Sequence, residues 1–268
     1  MKQANWNEYL SLQHPWTKRL IGIEQFSKNR NLEQIEREYN QDKYGTLTEF
    51  NFTDIELYKR KELELSGLSD NDKIFISLGE QLFETYRGLA FSIYYSTIAN
   101  IIANYNPERI CELGCGYGYN FSYLNKICPE IYGGEYSKNA VILANSIGLN
   151  IKEFNFYNLN DYLIIRKKSL VFTCHGVEQL PSAISFISGL YANKENIELV
   201  VNFEPTFLTN RTSLIGTLRN RYIEFNDYNR DLITLLMDRD DIDILEYHPD
   251  YIGLNPLHPT NIVVWRFK

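Results

Sequence analysis

The residues best suited to chemistry stand at intervals in the second half of the chain. Arg109-Ile110-Cys111-Glu112-Leu113-Gly114-Cys115-Gly116-Tyr117-Gly118-Tyr119-Asn120 runs from a short apolar stretch through three alternating glycines into a helical pattern. Glycine at such a turn lets the backbone bend tightly and approach a ligand with no Cβ in the way, although packing alone also asks for glycine there. The dinucleotide pattern G-x-G-x-x-G fails, because Tyr119 occupies the third glycine position. What stands instead is E-x-G-x-G-x-G, built from Glu112, Gly114, Gly116 and Gly118. Glu135 follows Glu112 by 23 residues (135 − 112). Its two acceptor oxygens match a vicinal diol, which points to a nucleoside-type ligand; capping the next helix is the other use of an acid there. His175 is the best candidate base, since free imidazole titrates near pH ~6.5. Glu204 is the acid placed to face the same cleft.

These residues need elements that bring them together. After Pro107 the chain alternates strand and helix, which predicts a parallel α/β sheet. Strands are expected over 109–113, 131–135, 150–156, 170–174 and 198–203. Helices are expected over 119–127, 138–147 and 181–191, with a long helical region over 211–240. Two last strands, 243–251 and 261–267, are separated by Pro256 and Pro259, which favour an antiparallel return. In such a sheet, ligands bind beyond the carboxyl ends of the strands. Those ends carry Glu112, Glu135, Asn155, His175 and Glu204. Before Pro107 the chain is more polar. Short helices are expected near 31–39 and 55–65, and apolar positions from Phe75 to Ile102 predict two helices broken near Gly88. Tyr86 and Arg87 at that break, together with Glu178, are candidate substrate contacts. The division is thus a helical extension over 1–105, a lid or acceptor wall, and a ligand-binding domain over 106–268.

The motif from Glu112 to Gly118, followed by Glu135, resembles motif I and its partner acid in the class I S-adenosylmethionine (SAM) methyltransferases. The resemblance covers 109–268. It implies a Rossmann-like sheet of seven strands with helices on both faces, the last strand running antiparallel between the fifth and sixth. It implies SAM as cofactor and S-adenosylhomocysteine (SAH) as product. The acid and the glycine loop from Gly114 through Cys115, Gly116 and Tyr117 to Gly118 would hold the methionine end. Glu135 would hold the ribose, Asn155 and Phe156 would lie near the adenine, and Tyr136 and His175 would be further cofactor contacts. Family members usually carry an acid where this chain has Asn155, whose side-chain oxygen can still accept the adenine amino group. His175 marks the motif nearest the transferring methyl; it would remove the acceptor's proton, and Glu204 would orient it, bind a sugar hydroxyl or help bind a metal.

Several phrases further resemble the sugar O-methyltransferases of bacterial polysaccharide loci: Gly133-Gly134-Glu135-Tyr136-Ser137, His175-Gly176-Val177-Glu178-Gln179-Leu180-Pro181, Phe203-Glu204-Pro205, Tyr228-Asn229-Arg230-Asp231-Leu232 and Asn255-Pro256-Leu257-His258-Pro259-Thr260. This implies a sugar hydroxyl acceptor, free or carried on a nucleotide, phosphate or lipid. The alternatives are a small-molecule or peptide N-methyltransferase and an inactive SAM-binding subunit. The D/N-P-P-Y/F/W motif of DNA amino-methyltransferases does not follow strand four.

Composition narrows the class. A net charge of −7 argues against a broad nucleic-acid footprint. The four cysteines have neither C-x-x-C nor zinc-finger spacing and read as reduced thiols, which suits the cytoplasm. Glu178 and Glu204 without an aspartate cluster make a poor magnesium signature, so no metal is expected. The first residues lack the apolar core of a signal peptide, and no run of ~18 apolar residues suggests a membrane span. Aromatics are abundant at 14%, and 20 tyrosines suit clefts as well as cores.

Overall fold

The computed structural model describes residues 1–268. Its ten strands are β1 (Lys2–Ala4), β2 (Lys73–Leu78), β3 (Gln81–Tyr86), β4 (Arg109–Leu113), β5 (Ile131–Glu135), β6 (Ile151–Glu153), β7 (Ser169–Cys174), β8 (Ile197–Glu204), β9 (Ile242–Gly253) and β10 (Thr260–Phe267). They form one sheet in the order β1-β3-β2-β9-β10-β8-β7-β4-β5-β6. From β4 to β8 the neighbours are parallel. β10 runs antiparallel to both β8 and β9. Counted from β4, the strands lie in the order third, second, first, fourth, fifth, seventh, sixth. The last strand is therefore inserted antiparallel between the fifth and sixth, as expected.

The strand count is not the expected seven. Residues 73–86 form an antiparallel hairpin where a helix was expected. Gly79-Glu80 is a two-residue turn with Gly79 at φ 57°, a conformation glycine reaches without strain. Two short strands across such a turn place apolar residues three and four apart by coincidence, imitating a helix. β2 joins β9 through Ser77 and Leu78, and β1 adds to β3. Only Arg87–Ala103 is helical in this region.

Other boundaries shift for local reasons. The 31–39 helix is a single turn, Leu32–Ile35, that widens into a π-helical segment, Glu36–Gly45. Helix Ile55–Leu65 has the expected bounds, and Asp54 caps it. The helix after the glycine loop is only Phe121–Leu124, and β6 is three residues long. The 211–240 region divides into Leu214–Phe225 and Leu232–Met237. Asp227 at φ 53° breaks it, and the Asn229 side chain accepts the Leu232 N–H at 2.9 Å to start the second helix. The phrase 228–232 is thus a helix break.

The central strands are buried on both sides, so they read as continuous apolar runs. Their alternate residues feed two cores. Val171, Val200 and Val263 pack with Phe186, Leu190 and Trp265 on one face. Leu170, Phe172, Val201 and Ile262 pack with Tyr94, Ile98 and Ile102 of the long N-terminal helix on the other.

Candidate active site

β4 lies between β5 on one side and β7 on the other, so the chain leaves β4 at the point where strand order reverses. A crevice opens there at the carboxyl ends. It is a cavity of about 390 Å³. Glu112, Gly114, Cys115, Gly116, Tyr117, Glu135, Tyr136, Asn155, Phe156, His175 and Glu178 all line it. Gly118, Glu204, Tyr86 and Arg87 do not.

The glycine loop is shaped by close approach. Gly114 takes φ 78°, and a Cβ there would meet Gly176 Cα at 3.1 Å and the Phe156 ring at 3.3 Å. Gly116 takes φ 57°, and a Cβ would lie 2.6 Å from the Tyr44 hydroxyl. Gly118 serves packing: its Cβ would lie 2.9 Å from Leu149 and Ile151, beneath the loop.

Two carboxylates flank the loop. Glu135 accepts the Gly116 N–H on one oxygen and the Ser137 N–H on the other, both at 2.8 Å. Each oxygen keeps a further lone pair for a diol. Burial raises the Glu135 pKa against those N–H donors and Lys43. Glu112 accepts Asn120 Nδ2 at 2.6 Å on one oxygen. Its other oxygen and Asn120 Oδ1 are buried without partners. Burial drives the Glu112 pKa well up, and Glu135 and Glu204 add to it against Asn120. Two orphaned acceptors with no donor bonded to them suit a positively charged group such as an ammonium. The cavity therefore offers acceptors for an ammonium group at Glu112 and Asn120 and for a diol at Glu135.

Asn155 lines the cavity beside Phe156. Its side-chain oxygen accepts the Tyr157 N–H at 3.0 Å, an Asx turn, which leaves one lone pair for a ligand.

At the end of β7, His175 takes φ 57°, a costly conformation for a residue with a Cβ. Glu204 holds the turn. It is 1% exposed and accepts the N–H groups of Gly176, Val177 and Glu178 at 3.0, 3.0 and 2.8 Å. Glu204 thus sits behind the loop and positions it; the expected cleft-facing carboxylate is spent on backbone. Burial, then Glu178, pushes its pKa up to about 7.

His175 Nδ1 lies 2.9 Å from Glu178 Oε2, and Nε2 lies 3.0 Å from Thr260 Oγ1. Burial lowers the His175 pKa, but the Glu178 carboxylate outweighs it and the net shift is upward. The same Glu178 oxygen bonds His258 Nε2 at 2.9 Å. Gln179 bonds the other Glu178 oxygen at 2.7 Å and accepts from the Arg30 guanidinium at 2.6 Å. Glu178 is therefore a buried anchor for two imidazoles. Tyr86 is 55% exposed, and Arg87 faces Asp72 at 3.8 Å; the hairpin carries both away from the cavity.

The N-terminal region supplies lining that sequence reasoning missed. Tyr39, Lys43 and Tyr44 come from the π-helical segment, and Lys59 and Glu62 from helix Ile55–Leu65. The segment is pinned by Asn40, whose Oδ1 accepts from both Ser137 Oγ and the Asn139 N–H at 2.7 and 2.8 Å. The available signal was Tyr39 and Lys43 at i, i+4 on one helical face.

Neither a protein-family model nor a curated protein sequence matches the chain. Among solved structures it is similar to magnesium protoporphyrin IX methyltransferase (ChlM) of Synechocystis PCC 6803 with bound SAH. That pair shares 14% identity over 67% of this chain and 84% of the other, with a TM-score of 0.49. It is similar to a SAM-dependent methyltransferase of Anabaena variabilis, at 13% identity over 80% and 93% of the two chains, TM-score 0.48. A third is the plantazolicin methyltransferase BpumL in complex with a triazolic desmethylPZN analog and SAH, at 16% identity over 85% and 99%, TM-score 0.46.

Proposed function

We propose that the protein is a SAM-dependent methyltransferase whose acceptor is a sugar hydroxyl, free or carrier-linked, in the synthesis of a capsule, lipopolysaccharide or related glycoconjugate. The observation that carries the cofactor assignment is the cavity at the strand-order reversal, where Glu112, Asn120 and Glu135 present buried acceptors around a glycine loop. Glu112 and Asn120 would hold the ammonium, Glu135 the ribose, and Phe156 with Tyr136 the adenine side. The bound sulfonium supplies a methyl group already activated toward an in-line nucleophile.

The chain's own part is to orient the acceptor and take its proton. Glu178 accepts the Nδ1 proton of His175 and so leaves a lone pair on Nε2. That lone pair is met by the Thr260 hydroxyl until an acceptor hydroxyl displaces it. Nε2 would take the acceptor's proton as its oxygen is methylated; the bound cofactor would supply the methyl group and keep the sulfur–carbon electron pair on leaving as SAH. Tyrosine rings and hydroxyls such as Tyr39, Tyr94 and Tyr95 in the lining suit a polyol. Residues 1–105 cover the cavity and contribute the acceptor wall. Four free thiols suit a reducing cytoplasm. No helix is long and apolar enough to cross a membrane.

Calorimetric titration with SAH tests the cofactor. Wild type should bind in the micromolar range and Glu135→Ala more weakly; equal affinity would remove Glu135 from the ribose site. His175→Ala should keep SAH affinity and lose about 10²–10⁴-fold in turnover of a sugar acceptor found by screening. Unchanged turnover would remove His175 as base.

A further inference from the structure

We propose that Lys43 and Lys59, bridged by Glu62, form a subsite for the carboxylate of an α-amino-acid end group, so that the cavity brackets a zwitterion between the glycine loop and the N-terminal region. This rests on the SAM assignment above and assigns residues that assignment does not use.

Both lysines line the cavity. Glu62 Oε1 lies 3.1 Å from Lys43 Nζ, and Glu62 Oε2 lies 3.1 Å from Lys59 Nζ. The Tyr117 hydroxyl, on the tip of the glycine loop, donates to the same Oε2 at 2.7 Å. Glu62 is the one carboxylate bonded to the two ammonium groups, and Glu135 acts on Lys43 from further off. Each ammonium has three donors, so several N–H groups remain for a ligand. Glu62 is ionised in this setting: burial raises its pKa, but Lys43 and Lys59 bring it down to about 2. Two ammonium groups thus share a single bonded carboxylate at the cavity wall, which leaves donors aimed at a further anion.

The complementary half lines the same cavity. Lys59 Nζ lies 5.2 Å from the Tyr119 ring centroid. The following residue is Asn120, whose Oδ1, with Glu112 Oε2, is a buried acceptor with no donor. An α-amino acid carries its ammonium and carboxylate on one carbon, so it needs an acceptor site and a cationic donor site side by side. The glycine-loop side supplies the first and helix Ile55–Leu65 with the π-helical segment supplies the second. The N-terminal region thus completes the cofactor site as well as covering it.

The test is calorimetric titration of the full chain with SAH and with decarboxylated SAH, which keeps the amine and loses only the carboxylate. Wild type should prefer SAH by about tenfold or more, the scale of a charge-assisted contact. The Lys43→Met/Lys59→Met double variant should lose that preference while binding the decarboxylated analogue as wild type does, which also shows that it is folded. A double variant that keeps wild-type preference overturns the proposal and leaves the lysines to an anionic acceptor. Should the double variant not fold, each single variant must lose part of the preference; no loss in either has the same consequence. Absence of binding by either compound to wild type removes the cofactor assignment itself, a result distinct from an unchanged preference.

Discussion

Glu178 is the residue whose surroundings most strongly shape the proposed chemistry. It is ionised against burial because His175 and His258 both face it, and it holds the His175 pKa above 6.5. A base must be neutral to act, so turnover should fall as pH drops through that raised value. Glu178→Gln removes the anion, and the acidic limb of the kcat profile should move to lower pH, with a lower plateau from lost orientation. A limb that stays in place would uncouple the pair. The same contact bears on stability. His175, with a folded value above its unfolded 6.5, contributes fully below 6.5 and loses its contribution as pH rises through the folded value. Glu178, with a folded value below its unfolded 4.5, contributes fully above 4.5 and loses it on acidification. The wild-type advantage over Glu178→Gln in thermal denaturation should therefore peak between pH 4.5 and 6.5. Glu112, Glu135 and His175 were legible as site residues because strand ends are recognisable from an apolar run followed by glycine or an acid. Glu204 was legible in position but not in part, since nothing in its neighbours shows that three N–H groups turn back toward it.

At the scale of elements, packing overrides propensity. Gly189 lies within helix Ile184–Ala192, where alanine would be favoured by about 1 kcal/mol. A Cβ there would sit 2.3 Å from the Tyr162 ring. Tyr162 is fully buried, and its hydroxyl donates to the Phe156 carbonyl at 3.0 Å. Overpacking typically costs ~1–3 kcal/mol, so Gly189→Ala should be destabilised on balance in denaturant titration. It should also weaken SAH binding by moving Phe156. A stabilised Gly189→Ala protein would show that the ring yields freely. The hairpin at 73–86 illustrates the converse: its period was ambiguous, and pairing with β9 decided between helix and strand.

Across the whole molecule, one buried side chain ties the N-terminal hairpin to the far end of the chain. Arg219 is 0% exposed. It pairs with Asp250 at 3.0 Å and donates to the Pro256 carbonyl at 3.0 Å and the Gly79 carbonyl at 2.8 Å. Arg211 also bonds Asp250. Breaking a buried pair costs ~3–5 kcal/mol. Arg219→Met should fall at or below the low end of that range, because Arg211 still neutralises Asp250. Amide exchange in 73–86 should accelerate together with the loss of stability; a stable variant with an unchanged hairpin would limit Arg219 to local packing.

The sequence by itself determined the sheet from Arg109 onward, the glycine loop and the acids at the strand ends, because hydrophobic period and backbone demand act over a few residues. Helix Ile55–Leu65 was legible for the same reason: Asp54 and the apolar spacing are local. Tertiary structure alone decided that Lys43, Tyr44, Lys59 and Glu62 share a cavity with strand-end residues from 50 (112 − 62) to 135 (178 − 43) positions further on, that Glu204 supports the loop from behind, and that two histidines 83 residues apart (258 − 175) meet on one oxygen of Glu178. Such meetings depend on how separate elements pack and which buried donors must find acceptors, and no local spacing records either.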